Sequence, residues 1–351
     1  MLEEFFWKEG NAMQKNWIPT RCGILCAAGV VGKLEKQGPL GDCFANWSED
    51  DRFAQPTWEK AESEMQRRAL QAALESAEMQ EDELDAIFAG DLLNQCVGAA
   101  YGLKDFSVPY FGLYGACSTA AEGLILSAMT VAGGQLSRAA AVASSHNCTA
   151  ERQYRSPIEY GGQRTPTAQW TVTGAGAFVV GECEGAMALI RGVCPGKVVE
   201  MGVRDVANMG AAMAPAAVDT LLRFFEATGC TPEDLDGIFT GDLGLEGSDI
   251  LRELMAMQGV DVSRVYQDCG VMIYDGAKQD THAGGSGCGC SAVVLACHLL
   301  PKLASGELKR ILLLGTGAMM SPQSIQQGLS IPAVAHLVCI TANEEDVWRF
   351  S

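Results

Sequence analysis

Residues 81–95 read EDELDAIFAGDLLNQ and residues 232–246 read PEDLDGIFTGDLGLE, and the likeness between the two decides the fold. Asp85 pairs with Asp236 and Asp91 with Asp242, both at a spacing of 151 residues. Each copy follows a helical stretch, RRALQAALESAEM or AAVDTLLRFFEATG. Each then runs through an acidic turn into a short apolar strand that ends in Gly-Asp. A second pair of segments matches in the same order: GACSTAAEGLILSAMTVAGGQLSRAAAVAS from Gly115 and GCGCSAVVLACHLLPKLASGELKRILLLGT from Gly287. Both read as a Gly-rich turn, a buried helix, Gly at the helix end, a basic residue and a core strand. Arg138 pairs with Arg310 at a spacing of 172, so the second half carries about 21 extra residues between its matched segments. Two ordered matches imply a duplicated chain with strand–helix alternation and buried parallel or mixed sheets in each half. The boundary between the halves is expected near ECEGAMALIRG, residues 182–192, just after the Gly-rich strand TVTGAGAFVVG, residues 171–181.

Composition narrows the function classes. The 351 residues are 48% hydrophobic and 19% charged, a globular balance without a disorder signature. With 25 basic and 43 acidic side chains the net charge is −18, which disfavours DNA, RNA or anionic headgroups as bulk partners. An anionic small ligand would need a local positive pocket. None of the fourteen cysteines forms a Cys-x-x-Cys pair. Most sit in apolar strings such as AVVLACHLL, where a thiol packs as a small hydrophobe, so a reduced compartment is expected. GCGC lacks a second ligand pair at zinc spacing, and no metal or cofactor is expected. The start, MLEEFFWKEGNAMQKN, has no apolar core of a signal peptide. The uncharged run Ile311–Asn343 is broken by SPQSIQQG and Pro332, as buried strands and loops would be. No Gly-x-x-x-x-Gly-Lys-Ser/Thr loop points to a nucleotide.

Cys117, in FGLYGACSTAAEGL (residues 111–124), opens the first buried helix, and its place within the duplicated plan resembles that of the nucleophile in the thiolase superfamily. The resemblance covers roughly residues 20–340 and implies an α/β fold, a thiolase-like duplicated α-β-α-β-α five-layer sandwich. It divides the chain into an N-terminal extension (1–19), a first half (20–185), a second half (186–343) and a tail (344–351). AGDLLNQ, GACST, SSHNCTAERQYRSPIEYGGQ, MGAAMAPAA, YQDCGVMIY, AGGSGCGCSAVV and SPQSIQQ bring the match to one branch, the stage V sporulation protein AD family. That resemblance implies a non-catalytic protein binding dipicolinic acid (pyridine-2,6-dicarboxylate), alone or with calcium. It would assist dipicolinate uptake into the forespore with membrane-embedded channel proteins. It also implies a homodimer associated peripherally with the forespore or spore inner membrane. The alternative is an acyl-thioester condensing enzyme using Cys117.

The residues weigh on that choice. A cysteine at a helix N-terminus feels the positive end of the dipole, which favours the thiolate, but acyl transfer also needs a partner and oxyanion donors. His282, in THAGGSGCGCSA, resembles by position the family's active-site histidine and is the candidate partner of Cys117, with Ser286 four residues on. His146 opens a polar loop after a core strand, whereas His298 and His336 lie in apolar surroundings and read as structural. Thiolases also use a second cysteine after the last core strand; LLLGTGAMM has none. A planar dianion calls for forked guanidinium donors and an apolar slot. The segment TAERQYRSPIEYGGQRTP supplies Arg152, Arg155, Gln163 and Arg164, with Tyr154 and Tyr160. The expected ligand set is thus Cys117, His146, Arg152, Arg155, Gln163, Arg164, His282 and Ser286. Asp91 and Asp242 offer oxygens for calcium or, as the blander reading, anchor turns.

Overall fold

The two copies of the repeat build the same five-stranded plan in the computed structural model, which describes residues 17–154 and 164–344. The first half contributes β1 (Ile18–Val31), β2 (Ala86–Gly90), β3 (Tyr110–Leu113), β4 (Ala139–Ser145) and β5 (Gly174–Gly181). The second contributes β6 (Ala188–Cys194), β7 (Gly237–Thr240), β8 (Tyr266–Asp268), β9 (Arg310–Ala318) and β10 (Ala333–Thr341). Across the sheet the order is β8-β7-β9-β10-β6-β1-β5-β4-β2-β3. Read outward from the β6–β1 seam, each half runs first, fifth, fourth, second, third strand. The seam is antiparallel, with Ile18 opposite Val193 and Ile24 opposite Ala188. Parallel pairing lies toward the edges, in β3–β2–β4 and β8–β7–β9, and there β2, β4, β7 and β9 are nearly all buried, as sheets covered on both faces must be.

The conserved geometry of the repeat rests on its acidic turn. The Asp85 carboxylate accepts the backbone N–H groups of Ser137 (2.6 Å) and Arg138 (3.0 Å). Asp236 accepts those of Lys309 (2.7 Å) and Arg310 (2.8 Å). Each aspartate's own N–H donates to the carbonyl of its arginine, Arg138 or Arg310, at 2.9 Å. The paired Asp–Arg positions of the sequence therefore lock β2 to β4 and β7 to β9 in the same way.

The helices form three layers around the two half-sheets. α1 (Trp58–Ser76) covers the outer face of the first, burying Met65, Ala69, Leu70 and Ala73 against Ile87, Val142 and Val179. α4 (Met209–Thr228) and α5 (Gly244–Met257) cover the second, around Met213, Leu221 and Leu251. Between the half-sheets lie α2 (Thr119–Ala132) and α6 (Cys288–Val294), in a core that takes Phe178 from the first and Ile190, Leu313 and Val338 from the second. α3 (Asn147–Tyr154) follows β4. The architecture is the duplicated five-layer α-β-α-β-α sandwich.

Small residues in the middle layer follow from its two-sided burial. A Cβ on Gly315 of β9 would come 2.6 Å from the Ala121 Cβ of α2, and one on Gly176 of β5 would come 2.8 Å from the Ala292 backbone of α6. Gly315→Ala should destabilise the protein by about 1–3 kcal/mol in urea melts. Ala121→Gly in the same chain should return part of the loss. A Gly315→Ala protein that melts like the parent would show that the layers have slack.

Candidate functional site

The central helices point their N-termini at one another, and the site forms where they meet. The turn Ala116–Ser118 precedes α2, with Ala116 in the left-handed region at φ 52°. That conformation costs a non-glycine residue about 1 kcal/mol or more, and it turns Cys117 inward. Cys117 Sγ lies 3.7 Å from Ser286 Oγ, just before α6. Ser286 Oγ donates to Asp242 Oδ2 at 3.0 Å, and the Gly287 N–H donates to the same oxygen at 2.9 Å. Thr316 of β9 donates its hydroxyl to Asp242 Oδ1 at 2.7 Å. Asp242 is fully buried, and burial pushes its carboxyl above the ordinary range against the pull of these donors.

This arrangement reverses the expectation for the thiol. Burial first, and then the negative charge of Asp242, push Cys117 well above the ordinary cysteine range. The helix N-terminus does not prevail, so Cys117 is held as a thiol at neutral pH. Asp242, read from sequence as a turn anchor or calcium ligand, is the carboxyl that faces the thiol. Its repeat mate Asp91 behaves differently: it accepts the Leu93 and Ala99 N–H groups at 2.7 and 2.6 Å, local bonds that start the following helix. Asp91 also faces Glu62, whose carboxyl accepts from Ser144 (3.0 Å) and Thr149 (2.6 Å) and is pushed up to about 8, by burial and then by Asp91.

A second group of residues lies along the ribbon that carries Ser286. Residues Gly285–Ser286 pair in parallel with Trp170–Thr171. The Arg164 guanidinium stacks over the Trp170 ring at 4.7 Å, with its side chain only 9% exposed. Nη2 donates to the Asp280 carbonyl (2.5 Å) and carboxylate (3.0 Å), while Nη1 is buried without a partner among the described residues. Gln169 donates to the carbonyls of Asp242 (2.7 Å) and Gly285 (2.9 Å), which ties the ribbon to the Cys117 site. Its Oε1 and the Thr281 hydroxyl are also buried, with no partner among the described residues. Among the described residues no group of His, Cys, Asp and Glu side chains is placed to hold a metal.

Three sequence expectations need correction. His282 is not the partner of Cys117: its Nδ1 meets the Thr165 carbonyl at 2.6 Å and its Nε2 meets the Asp280 carboxylate at 3.0 Å. Its backbone, at φ 52°, turns left-handed there. His146 is a satisfied core residue. Its Nδ1 accepts the Cys148 N–H (3.1 Å), so Nε2 carries the proton to the Asp51 carbonyl (2.8 Å), and burial keeps the ring neutral. Arg152 forms an ion pair with Glu59 on α1 and is half exposed. Arg155, Tyr160 and Gln163 lie outside the described residues. Tyr154 sits beside the site, donating to the Leu92 carbonyl at 2.7 Å. His336 is structural as expected, accepting the Gly196 N–H at 3.0 Å, with its pKa pushed down to about 4 by burial.

Residues 12–341 match the family model described as Stage V sporulation protein AD. The chain is 43% identical over 324 residues to the Stage V sporulation protein AD of Bacillus subtilis (strain 168), covering 92% of this chain and 95% of the relative. Among solved structures, 3-oxoacyl-[acyl-carrier-protein] synthase III from Aquifex aeolicus superposes with a TM-score of 0.56 at 14% identity, covering 91% of this chain and 99% of that one. OleA from Xanthomonas campestris gives 0.58 at 15% identity, covering 93% and 100%. At such identities the likeness shows the fold alone.

Asp242→Asn should lower the pKa of Cys117 and speed its alkylation at pH 8 by about tenfold, the gain in thiolate for one pKa unit. Peptide mapping by mass spectrometry separates Cys117 from the other cysteines. An unchanged rate would mean that Asp242 does not set its protonation.

Proposed function

The chain belongs to the stage V sporulation protein AD family, and from that premise we propose that it serves in sporulation by binding dipicolinate without turning it over. The observation that carries the reading is Arg164: a buried guanidinium over an indole ring, with Nη1 lacking an acceptor among the described residues. A buried donor without a partner costs roughly 1–3 kcal/mol, and a carboxylate supplies the missing acceptor. Arg155 and Gln163 of the adjoining segment are further candidate donors in this proposal. Asp242 and Asp280 oppose a bare dianion. The neutral calcium chelate meets less repulsion than free dipicolinate, so calcium is expected to tighten binding.

The state of Cys117 supports binding over catalysis. Burial and the neighbouring Asp242 carboxyl both oppose the thiolate that acyl transfer requires. Cys117, Ser286 and Tyr154 are read as the floor of the ligand site. The same proposal includes delivery of dipicolinate to the forespore alongside membrane-embedded channel proteins, with this chain attached peripherally. No helix among the described residues is long and apolar enough to cross a membrane.

A homodimer completes the proposal. β3 ends the sheet with Tyr110 and Phe111 exposed, and Tyr101 and Met129 are exposed as well. An open, apolar edge strand favours pairing with another strand, here a second copy. Light scattering should give about twice 37.2 kDa, and Phe111→Lys should shift the protein to monomer. A monomeric parent protein overturns the dimer.

Calorimetry tests the ligand. Dipicolinate with calcium should bind the parent protein, and Arg164→Ala should weaken binding by about tenfold or more, as loss of a charge-assisted bond does. Arg152→Ala, which removes an exposed arginine already paired with Glu59, should leave affinity unchanged. Absence of binding with and without calcium, or an Arg164→Ala protein that binds as the parent does, would overturn the ligand reading. Incubation with acyl-CoA followed by intact-mass measurement should leave the protein unacylated. A stable adduct on Cys117 would restore the condensing-enzyme reading.

A further inference from the structure

An open groove of about 900 Å³ lies on the outer face of the first half, between the C-terminal end of α1, the turn at residues 78–82 and residues 105–106. Leu74, Met79 and Phe106 give it an apolar floor. Its walls carry five carboxylates (Glu75, Glu78, Glu81, Asp82 and Asp105) against the single guanidinium of Arg67. Arg67 is already engaged by Glu64 at 2.8 Å and Gln71 at 2.7 Å. The groove therefore presents apolar surface inside a strongly negative field.

The internal repeat supplies a comparison for this groove. α1 ends with Met79 N–H bonded to the Leu74 carbonyl at 2.9 Å, which requires a left-handed residue at Glu78 (φ 54°). The matching residue after α4, at the same 151-residue spacing as the Asp85–Asp236 pair, is Gly229 (φ 67°). Glycine adopts that conformation without steric cost, whereas glutamate does not. The first half thus keeps a carboxylate in the groove wall where its own duplicate uses the residue that suits the backbone.

We propose that this groove docks a cationic, amphipathic peptide segment of another protein, its apolar side chains on Leu74, Met79 and Phe106 and its Lys or Arg side chains against the acidic walls. Charge complementarity selects this occupant. Nucleic acid and anionic membrane surfaces are repelled by the same carboxylates. Groove recognition of this kind draws affinity from the apolar floor, and orientation and encounter rate from the rim charges. The proposal stands apart from the dipicolinate site, and the two can fail separately.

The test uses the full chain and a fluorescein-labelled peptide of sequence KLKKLLKK, with anisotropy read at low ionic strength. Glu75→Gln with Asp82→Asn removes two groove charges. Glu226→Gln with Glu233→Gln removes the same two charges from the repeat-equivalent positions of the second half. The groove pair should weaken binding about fivefold, as two exposed ion pairs would, and the control pair less than twofold. Glu78→Gly should raise the thermal midpoint while also weakening the peptide. Absence of binding to the parent chain, equal weakening by the two pairs, or full affinity in Glu78→Gly would overturn the proposal.

Discussion

Two sheets close on a shared layer of helices, and this single constraint orders the rest of the molecule. With strands on both sides, α6 is wholly buried and α2 is buried through most of its length, and both tolerate only small side chains where the sheets approach most closely. Gly315 against Ala121 and Gly176 against Ala292 mark those points. The same squeeze brings the N-termini of both helices together at the middle of the fold. Cys117 and Ser286 meet there, 3.7 Å apart, although 169 residues separate them in the chain. Duplication thus creates the site as a consequence of packing.

What the site does depends on which charge stands beside the thiol. A cation or a neutral imidazole would favour or generate a thiolate at a helix N-terminus; a buried carboxyl does the opposite. Asp242 is held by Ser286, Thr316 and the Gly287 N–H, so its donors are committed to structure. Along the neighbouring ribbon, Arg164 Nη1, Gln169 Oε1 and the Thr281 hydroxyl are buried with no partner among the described residues. Gln169 ties this ribbon to the carbonyls of Asp242 and Gly285, beside Cys117.

Much of the fold was legible because the repeat records local chemistry. An aspartate that accepts two N–H groups from the start of a neighbouring strand needs the same turn in both copies, so Asp85 and Asp236 mark it clearly. Cys117 and Ser286 were legible for the same reason, since each sits at a helix start. Asp242 could not be told from Asp91 because their local sequences match. The difference lies in partners that arrive from far along the chain: Ser286 and Thr316 for one, Leu93 and Ala99 for the other. His282 failed as an expectation through its left-handed backbone, which spacing cannot reveal. Arg152 failed through Glu59, 93 residues earlier in the chain.

The central claim is that Arg164 Nη1 receives a carboxylate while Cys117 stays unmodified. A crystal structure of the protein grown with calcium and dipicolinate tests it most directly. The account predicts a pyridine dicarboxylate with one carboxylate oxygen on Arg164 Nη1 and an unaltered Cys117 thiol. Ligand density away from Arg164, or a covalent adduct on Cys117, would contradict it.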